Sequence, residues 1–208
     1  MHLGPLIVSE LSFTYPLHAR VLSKQRLLQA VSLHVAAGEM VHIQGQNGSG
    51  KTSLLKLLAG LLRPDAGTIT YAGQDIWSDI VGYQQKICYL GHKNGVNPNL
   101  TVREHCQLDW PAAPEIDQSI KDLALWSVKD RLYSLLSAGQ KRRVALLRLC
   151  LSSAQLWLLD EPLVSLDAEG AAWLSSALHQ HTAKGGQVLY SSHHSLAGHT
   201  PNQRVYAL

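Results

Sequence analysis

The chain has 208 residues, 46% of them apolar, with 18 Lys and Arg against 15 Asp and Glu for a formal charge of +3. That length can bury a core without disulfide or metal staples, and one sizeable domain is a better expectation than two small ones. The charge falls short of the basic stripe of a nucleic-acid binder and no apolar run approaches the about 18 residues that cross a bilayer, so neither nucleic-acid binding nor an intrinsic membrane span is expected.

The N-terminal stretch MHLGPLIVSELSFTY lacks a basic leader, a long apolar block and a small-residue cleavage site, which predicts a cytosolic protein. The alternation in LIVSELSF and VSLHV, followed by AAGEMVHIQG, predicts several strands joined by short turns. The last strand, MVHIQ, runs straight into the Gly-rich turn GQNGSGKT, and KTSLLKLLAGLL then shows helical periodicity with Gly60 near its end. RPDAG breaks that helix before a predicted hairpin, GTITYAGQDI.

KICYL reads as the next strand. From about Thr101 to Leu151 helix formers dominate around the proline breaks of WPAAP, the pattern of a helical insertion. Beyond it, LWLLD, AEGAAWLSSALHQHT, QVLYSS and RVYAL read strand, helix, strand, strand, the alternation of a mostly parallel α/β sheet. The three cysteines, Cys88, Cys106 and Cys150, stand far apart with no CxxC spacing, so buried thiols are expected and not a zinc knuckle or disulfide framework.

GQNGSGKT, comprising Gly45, Gln46, Asn47, Gly48, Ser49, Gly50, Lys51 and Thr52, fits G-x-x-x-x-G-K-[ST] in the required setting between a strand and a helix. Its glycines let backbone N–H groups wrap an anion, Lys51 offers a point charge to the β- and γ-phosphates, and the Thr52 hydroxyl can ligate Mg²⁺. LWLLDEP is an apolar run ending in two carboxylates, as a strand buried on both faces would, and its carboxyl end is where ligands collect in open α/β sheets. Asp160 is placed to hold a Mg²⁺ shell and Glu161 to orient or polarise an attacking water. Alone these acids could be a solvated strand cap; with GQNGSGKT they point to a nucleoside-triphosphate site.

A second anion motif lies in LLSAGQKRR, Leu135 to Arg143, where Ser137, Ala138 and Gly139 precede a basic helix start. By itself this stretch also reads as a helix cap at Ser137 with Lys141, Arg142 and Arg143 on a solvated face. LSAGQ, placed shortly before LWLLDEP, resembles the signature of ATP-binding cassette (ABC) proteins, commonly LSGGQ. The departure is Ala138, small enough to leave the backbone accessible provided its φ stays negative.

The resemblance spans nearly the whole chain. It implies a single nucleotide-binding domain over 1–208, of the α/β P-loop NTPase (RecA-like) class, with a mostly parallel sheet core. An N-terminal antiparallel β subdomain and a short helical subdomain, inserted at roughly 93–152, complete that expectation. It implies ATP and Mg²⁺ as cofactors, Thr52 and Asp160 on the metal side, Ser53 beside the P-loop, and Glu161, His193 and Lys51 as catalytic residues. In that family two cassettes meet head to tail, so Ser137, Ala138, Gly139 and Gln140 would cap the γ-phosphate held by a second copy. Tyr15 matches the aromatic position that stacks on adenine, and Ser165 to Asp167 match the loop that crosses the dimer interface. His193 falls at the switch histidine; His194 is expected to be a neutral surface neighbour. Where the family usually has a glutamine touching Mg²⁺ and water, GHKNG puts His92, and imidazole is a poor Mg²⁺ ligand.

GQNGSGKTSLLKLLAGLLRPDAG, YLGHKNGVNPNLTVREH and LWLLDEPLVSLD, with the short tail after His193, are similar to the haem-exporter ATPase branch of that family. This implies a peripheral ATPase on the cytoplasmic face of a bacterial inner membrane, held there only by integral membrane permease subunits of a cytochrome c maturation complex. Its cycle would serve haem delivery or release of a haem-loaded chaperone, and the tail leaves no room for an appended regulatory domain. The chain itself carries no cysteine-proline haem motif. The alternatives are the ATPase of another small ABC transporter or a non-transport cassette ATPase; the latter fits less well, with no sustained heptads or duplicated P-loop.

Overall fold

The computed structural model describes residues 4–15, 27–193 and 203–208, so His194 lies outside the described residues. The first half runs β1 (Leu6–Phe13), β2 (Leu28–Val35), β3 (Met40–Gln44), α1 (Lys51–Leu58), β4 (Ala66–Tyr71), β5 (Gln74–Asp75), α2 (Ile80–Gln84) and β6 (Ile87–Leu90). The second runs α3 (Val102–Asp109), α4 (Ile116–Asp122), α5 (Ala138–Leu151), β7 (Leu156–Asp160), α6 (Ala168–Ala183), β8 (Gln187–Ser191) and β9 (Gln203–Ala207).

Two sheets divide the strands. One is antiparallel in the order β2-β1-β4-β5, and the other is parallel in the order β6-β7-β8-β3-β9. This is the α/β class that the alternation of elements predicts. The LWLLD run is β7, buried along its whole length, and its side chains alternate between two cores. Leu156 and Leu158 pack with α1 and the antiparallel sheet, whereas Trp157 and Leu159 pack with residues of α3, α4, α5 and α6. An unbroken apolar run is what a central strand covered on both faces requires.

The order of the parallel sheet decides what can meet. β8 lies between β7 and β3, with Ser191 level with Asp160 on one side and Ile43 on the other. Three segments thus leave the same edge of the sheet side by side: the P-loop after β3, Asp160-Glu161 at the end of β7, and Ser192-His193 after β8. That edge is the carboxyl end, where an open α/β sheet gathers ligands.

Helix α1 is held by Leu54, Leu55, Leu57 and Leu58, all 0% exposed, each worth about 1.5–3 kcal/mol of transfer free energy. The periodicity of KTSLLKLLAGLL predicts a helix through Leu62, yet α1 stops at Leu58. The chain turns at Gly60, φ +67°, with Gly60 N–H donating to Leu57 O and Leu61 N–H to Lys56 O. A left-handed glycine with this pair of bonds terminates a helix whatever apolar residues follow. The predicted insertion is helical but broken: α3 opens on a reciprocal Thr101–Glu104 capping box, α4 follows, and two 3₁₀ turns precede α5.

Of the three cysteines, Cys88 and Cys106 are buried as expected, whereas Cys150 is only partly buried. Burial pushes Cys88 and Cys106 up to about 11 and Cys150 up to about 12. Under β7, the His181 ring stacks on Trp157 at 3.8 Å and 9°, and its Nε2–H donates to Gln155 O at 3.0 Å. Burial holds this imidazole below its ordinary value of 6.5. As pH falls through that ordinary value the unfolded chain takes up the proton first. The neutral ring's contribution is therefore full above 6.5 and is lost as pH falls through the lower folded value. Urea unfolding of the wild type and His181→Gln should show a stability gap that narrows from neutral pH towards about pH 5; a gap that is flat over that interval would contradict a ring held neutral.

Candidate active site

The P-loop leads into α1 without a side-chain cap. Gly50 caps α1 at φ +104°, and a Cβ there would meet Leu28 Cδ2 at 2.7 Å, so glycine is required by both conformation and space. Helices α2, α3, α5 and α6 each have a side-chain cap from Asp79, Thr101, Ser137 or Asp167, whereas α1 has neither a side-chain cap nor an acidic residue in its first turn. Its first amides and the positive end of its dipole are thus left for an anion. Lys51 is 8% exposed and its ammonium donates to Gly45 O at 2.8 Å and Gln46 O at 3.0 Å.

The acidic side faces it. Asp160 is 1% exposed, and its charge is kept in the interior by hydrogen bonds. The Thr52 hydroxyl lies 2.9 and 3.1 Å from its two oxygens, and the Ser191 hydroxyl donates to Oδ1 at 2.7 Å. A threonine hydroxyl beside a carboxylate is a hard oxygen donor set, the chemistry that suits Mg²⁺. Among the described residues no cluster of three His, Cys, Asp or Glu could hold a metal, so such an ion would need further oxygens from a ligand.

Glu161 sits in left-handed backbone, φ +47°, and its N–H is 3.1 Å from both the carbonyl and the hydroxyl oxygen of Ser191. Its Oε1 is buried and accepts no hydrogen bond from the described residues. His193 Nε2, half exposed, lies 3.6 Å from it, too far for a hydrogen bond. The Tyr89 phenol is pushed up to about 12, first by burial and then by Asp160, and stays protonated.

These groups line one cavity of about 520 Å³, which joins Tyr15, Asn47, Gly48, Gly50 to Ser53, His92, Asp160, Glu161 and His193, with Leu27 and Val164. Tyr15, 45% exposed, stands at its rim, edge-on to Phe13 at 5.0 Å, and its hydroxyl accepts from Ser53 Oγ at 3.2 Å. His92 is exposed and reaches the cavity from the loop after β6.

The second motif lies elsewhere. Ser137 and Gln140 form a reciprocal capping box: Ser137 N–H donates to Gln140 Oε1 at 3.0 Å and Gln140 N–H to Ser137 Oγ at 3.2 Å. Ala138, the first residue of α5, is exposed and is not among the residues of positive φ. A Cβ on Gly139 would be 3.1 Å from Ser165 O, which places the turn against the Ser165–Asp167 loop. Asp167 caps α6 through Gly170 N–H and pairs with Arg143 at 2.6 Å; that amide and then that guanidinium hold its carboxyl below the usual range. None of these four lines the cavity of its own chain.

Three contributors escape a local reading of the sequence. Ser191 is an ordinary member of an apolar strand until register sets it level with Asp160. Arg142 and Arg143 are 4% and 7% exposed, which corrects the solvated-face reading of this basic run. α5 buries Arg142, Arg143, Val144, Ala145, Leu146, Leu147 and Leu149, so no polar stripe marks them. Burial pushes the Arg142 guanidinium down from its ordinary range, and Asp160 works against that shift.

A family profile described as "ABC transporter" matches residues 28–164. The chain is 45% identical over 206 residues to a Legionella pneumophila (strain Lens) protein described as "Cytochrome c biogenesis ATP-binding export protein CcmA", covering 98% of this chain and 100% of that protein. A protein of the same description from Yersinia pestis bv. Antiqua (strain Nepal516) is 41% identical over 187 residues, 88% of this chain and 86% of its own. A solved structure titled "Structure of ATP binding subunit of ABC transporter" superposes with a TM-score of 0.77 at 26% identity, over 92% of this chain and 80% of that one.

Ser191→Ala should leave Asp160 without one buried donor and Glu161 N–H without its hydroxyl acceptor. Equilibrium urea unfolding is expected to show a loss of about 1–3 kcal/mol, with a fall in MgATP turnover. Unchanged stability would mean that Ser191 does not carry the buried carboxylate.

Proposed function

The chain belongs to the ABC transporter family and is an ATPase, and we propose that it is the ATP-hydrolysing subunit of a haem exporter serving cytochrome c maturation. Similarity over all of one protein, and 86% of another, named for cytochrome c biogenesis and export supports the cargo side of this reading. The observation that carries the chemical side is the convergence of Lys51, Thr52, Asp160, Glu161 and His193 on one cavity, while Ser137 to Gly139 are left outside it.

In this reading the first-turn amides of α1 and the Lys51 ammonium take the β- and γ-phosphates, Lys51 exchanging the Gly45 and Gln46 carbonyls for phosphate oxygens. Tyr15 takes the base. Thr52 and Asp160 hold Mg²⁺, which when bound supplies neutralisation of phosphate charge. Glu161 orients the attacking water and receives its proton through the unpartnered Oε1 as the water oxygen bonds to the γ-phosphorus and the bond to the ADP oxygen breaks. His193 steadies that carboxylate and the γ-phosphate together. His92 reaches the same space through hydrogen bonds and not as a metal ligand.

As an ABC ATPase the chain works as a dimer with membrane permease partners. The specific form proposed is a head-to-tail pair of identical copies. The Ala138 and Gly139 amides and the Ser137 hydroxyl hydrogen of one copy meet the γ-phosphate held by the other. The Ser137 amide is already spent on Gln140. The segment 93–152 is the helical subdomain on which the permease subunits of the cytochrome c maturation complex dock. No helix among the described residues is long and apolar enough to cross a membrane, and the proposed location is peripheral, on the cytoplasmic face of the inner membrane.

Glu161→Gln should bind MgATP without completing the cycle and accumulate as a dimer by light scattering, whereas the nucleotide-free chain stays monomeric. Purified from native membranes in that state, it should bring down small multi-pass subunits of the cytochrome c maturation system. A strictly monomeric Glu161→Gln chain with MgATP contradicts the bridging role, and recovery of ribosomes or DNA in place of membrane subunits contradicts the transport role.

A further inference from the structure

We infer that Arg142 is a positioning residue for hydrolysis: its guanidinium locks the Glu161 peptide and the loop that carries His92 into one unit. The inference rests on the reading that Glu161 acts on the attacking water.

Every N–H of this guanidinium has an acceptor. Nε donates to Pro162 O at 3.2 Å, one terminal nitrogen to Gly91 O at 3.2 Å and Asn94 Oδ1 at 3.0 Å, and the other to Asp160 O at 3.1 Å and Glu161 O at 2.7 Å. Five donors in a rigid fork meet five oxygens, the full capacity of the side chain. All five acceptors are uncharged, so a 4%-exposed cation is held with no carboxylate of the described residues in direct contact. Burying a charge on such terms is costly, and it is a poor way to obtain packing alone.

The places that it joins explain the cost. Glu161 is held in left-handed backbone, a conformation that costs a non-glycine residue about 1–3 kcal/mol and persists only where neighbours impose it. Its N–H is tied to Ser191 and its carbonyl to Arg142, so the peptides on both sides of its Cα are fixed while the carboxylate is left to the cavity. On the other side, Gly91 and Asn94 bracket His92. Asn94 is braced in turn, its Nδ2 donating to Tyr133 Oη at 3.0 Å and Lys141 O at 3.2 Å. A displacement of the His92 loop is therefore passed through one planar group to the backbone of Glu161.

Lysine keeps the charge but has three donors on a point, and it cannot serve five acceptors in a fork. Steady-state MgATP turnover of the full chain, ATP affinity by equilibrium binding and the urea midpoint would be measured for Arg142→Lys and Asn94→Ala. Each would be made alone and in a Glu161→Gln background. Arg142→Lys is expected to lower kcat about tenfold or more while KM moves by less than about threefold, the split of an interaction felt in the transition state. Asn94→Ala removes only the loop anchor and should lower kcat by about threefold with the fold intact.

The decisive readout is the cycle. In Glu161→Gln, where the group to be positioned has lost its function, neither substitution should reduce single-turnover hydrolysis further; a merely structural peg would cost the same factor in both backgrounds. Equal factors, or a fully active Arg142→Lys, overturn the proposal. If Arg142→Lys fails to fold, Asn94→Ala decides by the same comparison. A Glu161→Gln chain that turns over at the wild-type rate defeats the functional reading and this proposal with it, whereas an impaired Glu161→Gln beside an unaffected Arg142→Lys defeats the proposal alone.

Discussion

The structure turns on one buried carboxylate. Asp160 lies 1% exposed at the end of the central strand β7, and an ionised group there persists only if its oxygens are hydrogen-bonded. The donors come from different parts of the chain: Thr52 on α1 and Ser191 at the end of β8. Satisfying Asp160 therefore fixes the first turn of the P-loop helix against two adjacent strand ends. Ser191 also accepts from the next residue's amide, so the same few hydrogen bonds that neutralise a burial cost set the backbone of Glu161. Stability and geometry are one requirement here, which is why phosphate-facing and water-facing groups can lie in one cavity with little slack.

How much of this was legible depends on the range of the determining interaction. GQNGSGKT and LWLLDEP are read locally, because a phosphate cradle needs glycines, Lys51 and Thr52 in consecutive backbone positions and a doubly buried strand needs an unbroken apolar run. The strand-helix alternation likewise gives the parallel sheet, and the alternation in β1 and β2 gives the antiparallel one. The end of α1 was legible only in hindsight: apolar residues continue to Leu62, but the left-handed turn at Gly60 overrides periodicity. Arg142 was beyond reach. Its partners at Gly91, Asn94, Asp160, Glu161 and Pro162 are backbone or amide oxygens on other elements, and a helix buried nearly all round leaves no pattern to separate a structural arginine from a solvated one.

The two helix starts that face phosphate in the proposed cycle are built in opposite ways. α1 has no side-chain cap, and its nearby cation rests on two P-loop carbonyls. α5 is closed by a reciprocal Ser137–Gln140 box. An uncapped start keeps its amides and dipole available and can bind a triphosphate tightly within one chain. A capped start offers fewer donors, so in the proposed dimer its grip on a second copy's nucleotide would be weaker and more sensitive to loss of a single phosphate.

That asymmetry suits a reversible bridge. Groups that the proposed closed dimer would draw on already have partners in the separate chain: Lys51 in the Gly45 and Gln46 carbonyls, the Ser137 hydroxyl oxygen in Gln140 N–H, and Asp167 in Gly170 and Arg143. In the proposed cycle dimerisation is driven by what the γ-phosphate adds beyond these exchanges, and a hydrogen bond to such a charged group contributes about 1.5–3 kcal/mol net. On that reading, loss of the charged phosphoryl group removes several such contacts at once and favours separation. In the same reading the hydrogen bonds around Asp160 and Arg142 would hold the reacting groups, so the reversible step would fall on the surface turns and the rigid step on the sheet edge beneath them.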